Sequence, residues 1–226
     1  MKLTKIATIY TDFPEKFGVP RQSGLVNTRG KIVFEKEYRN LNFVRGLEDF
    51  SHIWLIWGFS KNKEKKISPT VRPPRLGGNV RMGVFATRSP YRPNAIGLSS
   101  VRLVKIDFEG ENAPVIQIEG ADIVSGTPIY DIKPYLAFTD AHTDAVCGFA
   151  DDTASYKLKC VVPEEIKREF SEAFLDGLSQ ILENDPRPSY HDDPQRIYKM
   201  DYAGYCVEFE SDNKKIYVKK IRDANH

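Results

Sequence analysis

Through the first two thirds of the chain, apolar residues come in short, partly alternating runs separated by Pro, Gly and Asn. This is the pattern of half-buried strands punctuated by turns. It predicts strands at Lys5–Thr11, Lys31–Glu35, Ser51–Phe59, Arg81–Thr87, Leu98–Phe108, Val115–Glu119 and Ile129–Ile132. Many short strands without helices between them favour a mainly β barrel or sandwich over a doubly wound sheet. Internal repeats and low-complexity tracts are absent.

The pattern changes near residue 163. Pro163-Glu164-Glu165 suits a first helical turn, with two acids complementing the helix dipole. Ile166, Phe170, Phe174, Leu178 and Leu182 then recur every fourth residue, predicting one helix of about five turns with a single buried face. It stops at Asn184-Asp185-Pro186, because proline disfavours helix in the residue before it. Ile197–Phe209 and Ile216–Ile221 read as a hairpin around Ser211-Asp212-Asn213. The expected organisation is therefore a β domain at residues 1–154 and a small α+β C-terminal appendage at 155–226, with Phe138–Thr153 as connector.

At 226 residues, with 41% hydrophobic and 28% charged residues, the chain can bury a substantial core and falls among ordinary globular proteins. Its densest apolar run, Ile53–Phe59, is far short of the roughly 20 residues that span a bilayer, so no membrane role is expected. The first residues carry no apolar stretch with a cleavage site, which makes cytoplasm the expected compartment. Cys147, Cys160 and Cys206 are odd in number and widely spaced, as reduced, half-buried thiols are.

The net charge of +2 argues against a highly basic nucleic-acid binder, but its distribution is uneven. From Lys65 to Lys105 there are nine basic residues (Lys65, Lys66, Arg72, Arg75, Arg81, Arg88, Arg92, Arg102 and Lys105) and no acid, so the remainder carries −7. One cationic surface on an acidic body attracts phosphates while limiting indiscriminate binding. The alternative is that these arginines form salt bridges with acids elsewhere.

Several signatures of common chemistries fail. No GxGxxG, GxxxxGK[ST] or GxSxG is present, and His52, His142, His191 and His226 lack metal-ligand spacing, so no metal is expected. What remains is two loops of related texture. Thr70–Asn79 sets Arg72 and Arg75 around a stiff diproline, followed by two glycines that let backbone approach a ligand. Phe85–Asn94 repeats the combination of arginine, proline and amide with Arg88, Arg92 and Asn94. Further on, Asp131, Lys133 and Tyr135 place a carboxylate, an ammonium and a phenol within five residues, which fits proton handling and equally a turn closed by a salt bridge.

Six segments resemble the TsaA-like family of tRNA N6-methyltransferases: Glu15–Gln22, Val44–Leu47, Thr70–Asn79, Met82–Gly97, Gly126–Pro128 with Asp131–Tyr135, and Asp185-Pro186-Arg187-Pro188. They occur in the family's order, and the likeness covers about residues 3–210. The resemblance implies a small β-barrel unrelated to Rossmann methyltransferases, commonly a homodimer with its cofactor near the subunit interface. It implies an enzyme that uses S-adenosylmethionine to methylate N6 of threonylcarbamoyladenosine beside the anticodon, in threonine tRNA. The cofactor positions it carries over are Pro20, Arg21 and Gln22, Phe59 and Ser60, Arg88, Leu98 to Ser100, and Asp122, Ile123, Val124 and Ser125. Ser60 departs from the histidine that bacterial relatives often have there, so the contact at that position is expected from backbone.

For the reaction, Asp131 is the candidate base or orienter, with Tyr135 beside it and Lys133 as a cation for the threonyl carboxylate. Arg72, Arg75, Arg92, Asn94 and Arg187 are the candidate substrate contacts. Two other readings stay open: a noncatalytic tRNA- or anion-binding module, and a methyltransferase of this fold acting on a small anionic metabolite.

Overall fold

The computed structural model describes residues 2–62, 67–77, 79–188 and 193–224. Lys65, Lys66, Gly78, His191 and His226, which entered the sequence arguments, lie outside the described residues. Among the described residues twelve strands are formed: β1 (Ala7–Thr11), β2 (Arg29–Phe34), β3 (His52–Gly58), β4 (Thr70–Val71), β5 (Met82–Gly83), β6 (Ile96–Asp107), β7 (Val115–Glu119), β8 (Thr127–Pro134), β9 (Lys159–Val161), β10 (Tyr198–Tyr202), β11 (Tyr205–Ser211) and β12 (Lys215–Asp223). Three short helices join them: α1 (Ala137–Asp140), α2 (Glu164–Lys167) and α3 (Glu172–Glu183).

Six strands close into a barrel in the order β1-β2-β7-β6-β3-β8, every neighbouring pair antiparallel. Alternation along each strand sends one set of side chains inward. Ile9, Ile32, Ile53, Leu55, Ile116, Ile118 and Ile129 are completely or almost completely buried there. Because all neighbours are antiparallel, the ends of β1, β3 and β7 and the starts of β2, β6 and β8 share one rim. Three loops therefore leave that rim together: residues 12–28, 59–95 and 120–126.

A second sheet, β10-β11-β12-β9, packs against α3 around Leu178, Leu182, Met200, Val207, Phe209 and Ile216. This core is not confined to the C-terminal part, since Phe13 and Val26 of the first rim loop are buried in it. Removing the C-terminal part would strip cover from a fully buried phenylalanine.

Four sequence expectations are corrected. Arg81–Thr87 is not a strand: only Met82–Gly83 pairs, with Thr70–Val71, before a 3-10 turn at Val84–Ala86. Gly83, Phe85 and Ala86 are exposed and only Val84 turns inward, so the pairing with Thr70–Val71 ends after two residues. The five-turn helix is two helices, because Ser171 caps α3 by accepting a hydrogen bond from Phe174 N and so starts a new helix inside the apolar period. The segment Ile197–Phe209 is not one strand but two, turning at Ala203 (φ 50°) and Gly204 (φ 85°). A left-handed alanine gives little sequence warning of such a turn. Finally, the three thiols are free, but Cys147 is exposed, and burial pushes the Cys160 thiol up to about 11.

Among the described residues no helix is long and apolar enough to cross a membrane, and no group of three or more His, Cys, Asp or Glu is placed to hold a metal.

Candidate functional site

The three rim loops are tied to one another by polar contacts. Gly24 N donates to Gly120 O at 2.9 Å, Ser125 N to Phe13 O at 2.8 Å, and Lys16 Nζ to Asn62 Oδ1 at 2.8 Å. At their meeting point Arg88 Nη1 donates to Gln22 Oε1 at 2.5 Å. Beside them lies Asp122, whose Oδ1 accepts from Ser99 Oγ at 2.5 Å, while Ser99 Oγ accepts from Trp57 Nε1 at 3.0 Å. Burial pushes the Asp122 carboxyl above the usual carboxylate range, and the Ser99 hydroxyl, backbone N–H groups and the Arg88 charge only partly oppose it. A carboxylate held in this way at the barrel rim is suited to a cationic ligand group.

Trp57 adopts this position because Gly97 leaves room for it. A Cβ at Gly97 would stand 2.2 Å from the Trp57 ring. Gly97→Ala is therefore expected to displace the indole, release Ser99 and loosen Asp122. In calorimetry it should lose cofactor affinity about tenfold as the charged hydrogen bond weakens; unchanged binding and melting would refute the relay.

The other cofactor candidates fall on the same rim. The Asp122–Ser125 stretch is pinned by Thr11 Oγ1 donating to Ile123 O at 2.8 Å and Thr127 Oγ1 to Val124 O at 2.7 Å. The Ile123 side chain belongs to the barrel core, so that residue offers a ligand only its backbone. Ser125 Oγ accepts from Thr11 N at 3.2 Å. Phe59 packs edge-on against Trp57 at 4.4 Å, and Ser60 Oγ lies 3.5 Å from Thr127 Oγ1. Leu98 and Ser100 point outward from β6 opposite Ile56 and Trp54, and Leu98 is exposed.

Arg21 faces away from Gln22, into the C-terminal corner. Its Nη2 donates to the carbonyls of Asp185 (3.1 Å) and Arg187 (3.0 Å), and its buried Nε has no partner. Burial, with Arg75 nearby, lowers the Arg21 pKa from its ordinary value. Pro20, also buried, fixes the start of this turn. Arg187 is 4% exposed and is engaged by Asp185, with Nε to Oδ1 at 2.7 Å and Nη2 to Oδ2 at 3.0 Å, and Nη1 donates to Asn213 Oδ1 at 3.1 Å. It is thus a buried strut of the corner, where the sequence suggested a substrate-facing arginine. Arg75 lies over the Tyr156 ring, and Tyr156 donates to Asp185.

Of the cationic window, Arg102 pairs with Glu119 and Lys105 with Asp107. Arg72, Arg81, Arg88 and Arg92 form no ion pair among the described residues. Arg81 donates to Thr70 Oγ1, Arg92 to the Thr87 carbonyl, and Asn94 is exposed beside them.

Asp131, Lys133 and Tyr135 are brought together on the outer face of the barrel. They sit on β8 or just past its end, not in a turn, with Asp131 and Lys133 paired at 3.0 Å on the outer wall. Tyr135 packs against Trp54 at 5.4 Å. Across β3, Asp131 and Lys133 share the outward rows of the cofactor candidates on β6: Ile56 is registered with both Asp131 and Leu98, and Trp54 with both Lys133 and Ser100. Motif reading did not find Trp57, whose role depends on a register that sets it opposite Gly97.

The donor set of the rim fits S-adenosylmethionine: Asp122 for its cationic groups, Arg88 for a carboxylate, and Phe59 and Leu98 as apolar surface. A closed antiparallel barrel whose rim loops gather such a set, in a chain without a Gly-rich dinucleotide turn, defines a small-molecule site on a non-Rossmann fold.

Comparison with known proteins agrees. The family model described as the tRNA-methyltransferase O N-terminal domain matches residues 8–141, and that of the TrmO C-terminal domain matches residues 162–224. The chain belongs to the tRNA-methyltransferase O family. It is 39% identical over 194 residues to the tRNA (adenine(37)-N6)-methyltransferase of Escherichia coli, covering 82% of each chain. It is 46% identical over 167 residues to the enzyme of that name from Eikenella corrodens, covering 71% of this chain and 90% of the relative. The crystal structure of TrmO from Pseudomonas aeruginosa superposes with a TM-score of 0.76 at 29% identity, covering 98% of both chains.

Proposed function

We propose that the protein is a cytoplasmic methyltransferase that transfers a methyl group from S-adenosylmethionine to N6 of threonylcarbamoyladenosine at position 37 of tRNA, with threonine tRNA as its main substrate. The observation that carries this reading is the convergence on one rim of Asp122, Arg88 and Gln22 with an arginine-rich loop surface, in a chain of this family. When bound, the cofactor supplies an electrophilic methyl on a sulfonium. The chain's task would then be alignment: holding the acceptor nitrogen in line with the carbon–sulfur bond that breaks, with Asp131 as the candidate acceptor of the nitrogen's proton. Asp122 and Arg88 orient the donor from opposite charges, and the rim loops hold water away from it.

Arg72, Arg75, Arg92 and Asn94 supply the tRNA surface, while Arg187 supports it from beneath through the Asp185 corner. We further propose that the enzyme is a homodimer. Its outer surface exposes Leu98, Phe138 (88%) and Val146 (90%), apolar side chains that a subunit interface would cover. Asp131, Lys133 and Tyr135 keep their proposed proton-handling role on the outer face, two strands from Leu98 and Ser100. Residues 1–154 then form the cofactor-binding unit and 155–226 the unit that braces it.

Labelled methyl transfer to threonine tRNA with and without the threonylcarbamoyl group tests the reading. Label is expected only in the modified tRNA. Binding without transfer would favour the noncatalytic module, and label in a small anionic metabolite would favour the third reading.

A further inference from the structure

We propose that Phe85 is a stacking platform for a base of the anticodon loop, an inference that rests on the tRNA reading above. Phe85 is 76% exposed, which is costly for a phenylalanine on a surface without a partner. Among the described residues its ring meets no other aromatic ring. Yet the backbone that carries the ring is held in place. It sits in the 3-10 turn Val84–Ala86, whose Val84 is 4% exposed. Val84 N donates to Pro69 O at 3.0 Å, and both Thr87 N and Thr87 Oγ1 donate to Val84 O, at 3.1 and 2.9 Å.

The surroundings specify what covers the ring. Arg81 and Arg88 flank it in sequence, exposed Tyr91 and half-buried Arg92 follow, and no acid occurs from Ile67 to Lys105. Exposed aromatics interleaved with unpaired guanidinium groups match single-stranded nucleic acid, where bases stack and phosphates pair with cations. A second copy of this chain meeting this face about a two-fold axis would set the arginine-rich surface against itself, which like charge disfavours. Anticodon-loop bases can be splayed outward, so an unstacked neighbour of the target adenine can rest on Phe85. That contact would fix how deeply the reacting nitrogen enters the rim.

The test compares wild type, Phe85→Ala and Phe85→Trp for binding of a threonine-tRNA anticodon stem-loop, for S-adenosylmethionine binding by calorimetry, and for sedimentation. Phe85→Ala is expected to raise the RNA Kd about tenfold or more, and Phe85→Trp to restore it. The slope of log affinity against log salt should not move, because stacking releases no counterions. Melting, cofactor affinity and sedimentation should also stay as in wild type. An RNA Kd within twofold of wild type, a flatter salt slope, lost cofactor binding or altered sedimentation would each overturn the assignment. Wild-type protein that binds no stem-loop RNA would instead bring down the tRNA reading, and this inference with it.

Discussion

Asp122→Asn is expected to weaken S-adenosylmethionine binding by about 10- to 100-fold and transfer by at least as much, while leaving the protein no less stable at pH 7. A hydrogen bond to a charged group contributes roughly 1.5–3 kcal/mol, and the amide surrenders the charge that faces the cofactor's cationic groups. Stability moves the other way. Burial raises the folded carboxyl above its unfolded value, so the native state holds the proton more tightly. Asp122 therefore costs stability as pH rises from the unfolded to the folded pKa, and that loss persists above it. The asparagine variant has no such dependence, so its stability relative to wild type should climb through that window. Chemical denaturation from pH 3 to 8, with calorimetry at pH 7, reads both effects. Unaltered cofactor affinity would remove Asp122 from the cofactor site, and a variant less stable than wild type at neutral pH would contradict the raised folded pKa.

Asp185→Ala is expected to cost about 3–5 kcal/mol of stability, because it strands the Arg187 guanidinium in the interior. For a chain of this size that lowers the melting temperature by roughly 6–20 °C. Asp185 also accepts from Tyr156 and, through its carbonyl, from Arg21, so the corner connecting the first rim loop to the C-terminal sheet should loosen as a whole. Replacing both members of the pair, as Asp185→Leu with Arg187→Met, should recover much of the loss, since no uncompensated charge remains. A melting temperature within 2–3 °C of wild type for Asp185→Ala would mean that Arg187 finds solvent or another partner.

The barrel strands were legible because alternation is a local signal: Val115–Glu119 was read with its observed limits, and β1, β2, β3, β6 and β8 within a few residues. The stretch Arg81–Thr87 misled because alternation records only that a segment is apolar at every second position, not whether a neighbouring strand is there to pair with. The helix period likewise ran across the Ser171 cap, since Phe170 packs with Phe174 and Tyr205 whether or not it is helical.

The sequence by itself determined the inventory of the site, the acid-free arginine window and the family motifs, because side-chain chemistry and short loops are fixed by neighbouring residues. Only the tertiary structure decided which of those residues meet. Antiparallel closure brings loops about a hundred residues apart in the chain to one rim, as Thr11 meets Ile123 and Ser125, while it leaves Asp131 and Lys133 on the outer wall. It also turned Arg187 from a surface candidate into a buried strut, and made Trp57 and Ser99 the supports of Asp122. Burial and partner choice depend on contacts between distant segments, and the free energy that selects them belongs to the packed whole rather than to any window of sequence.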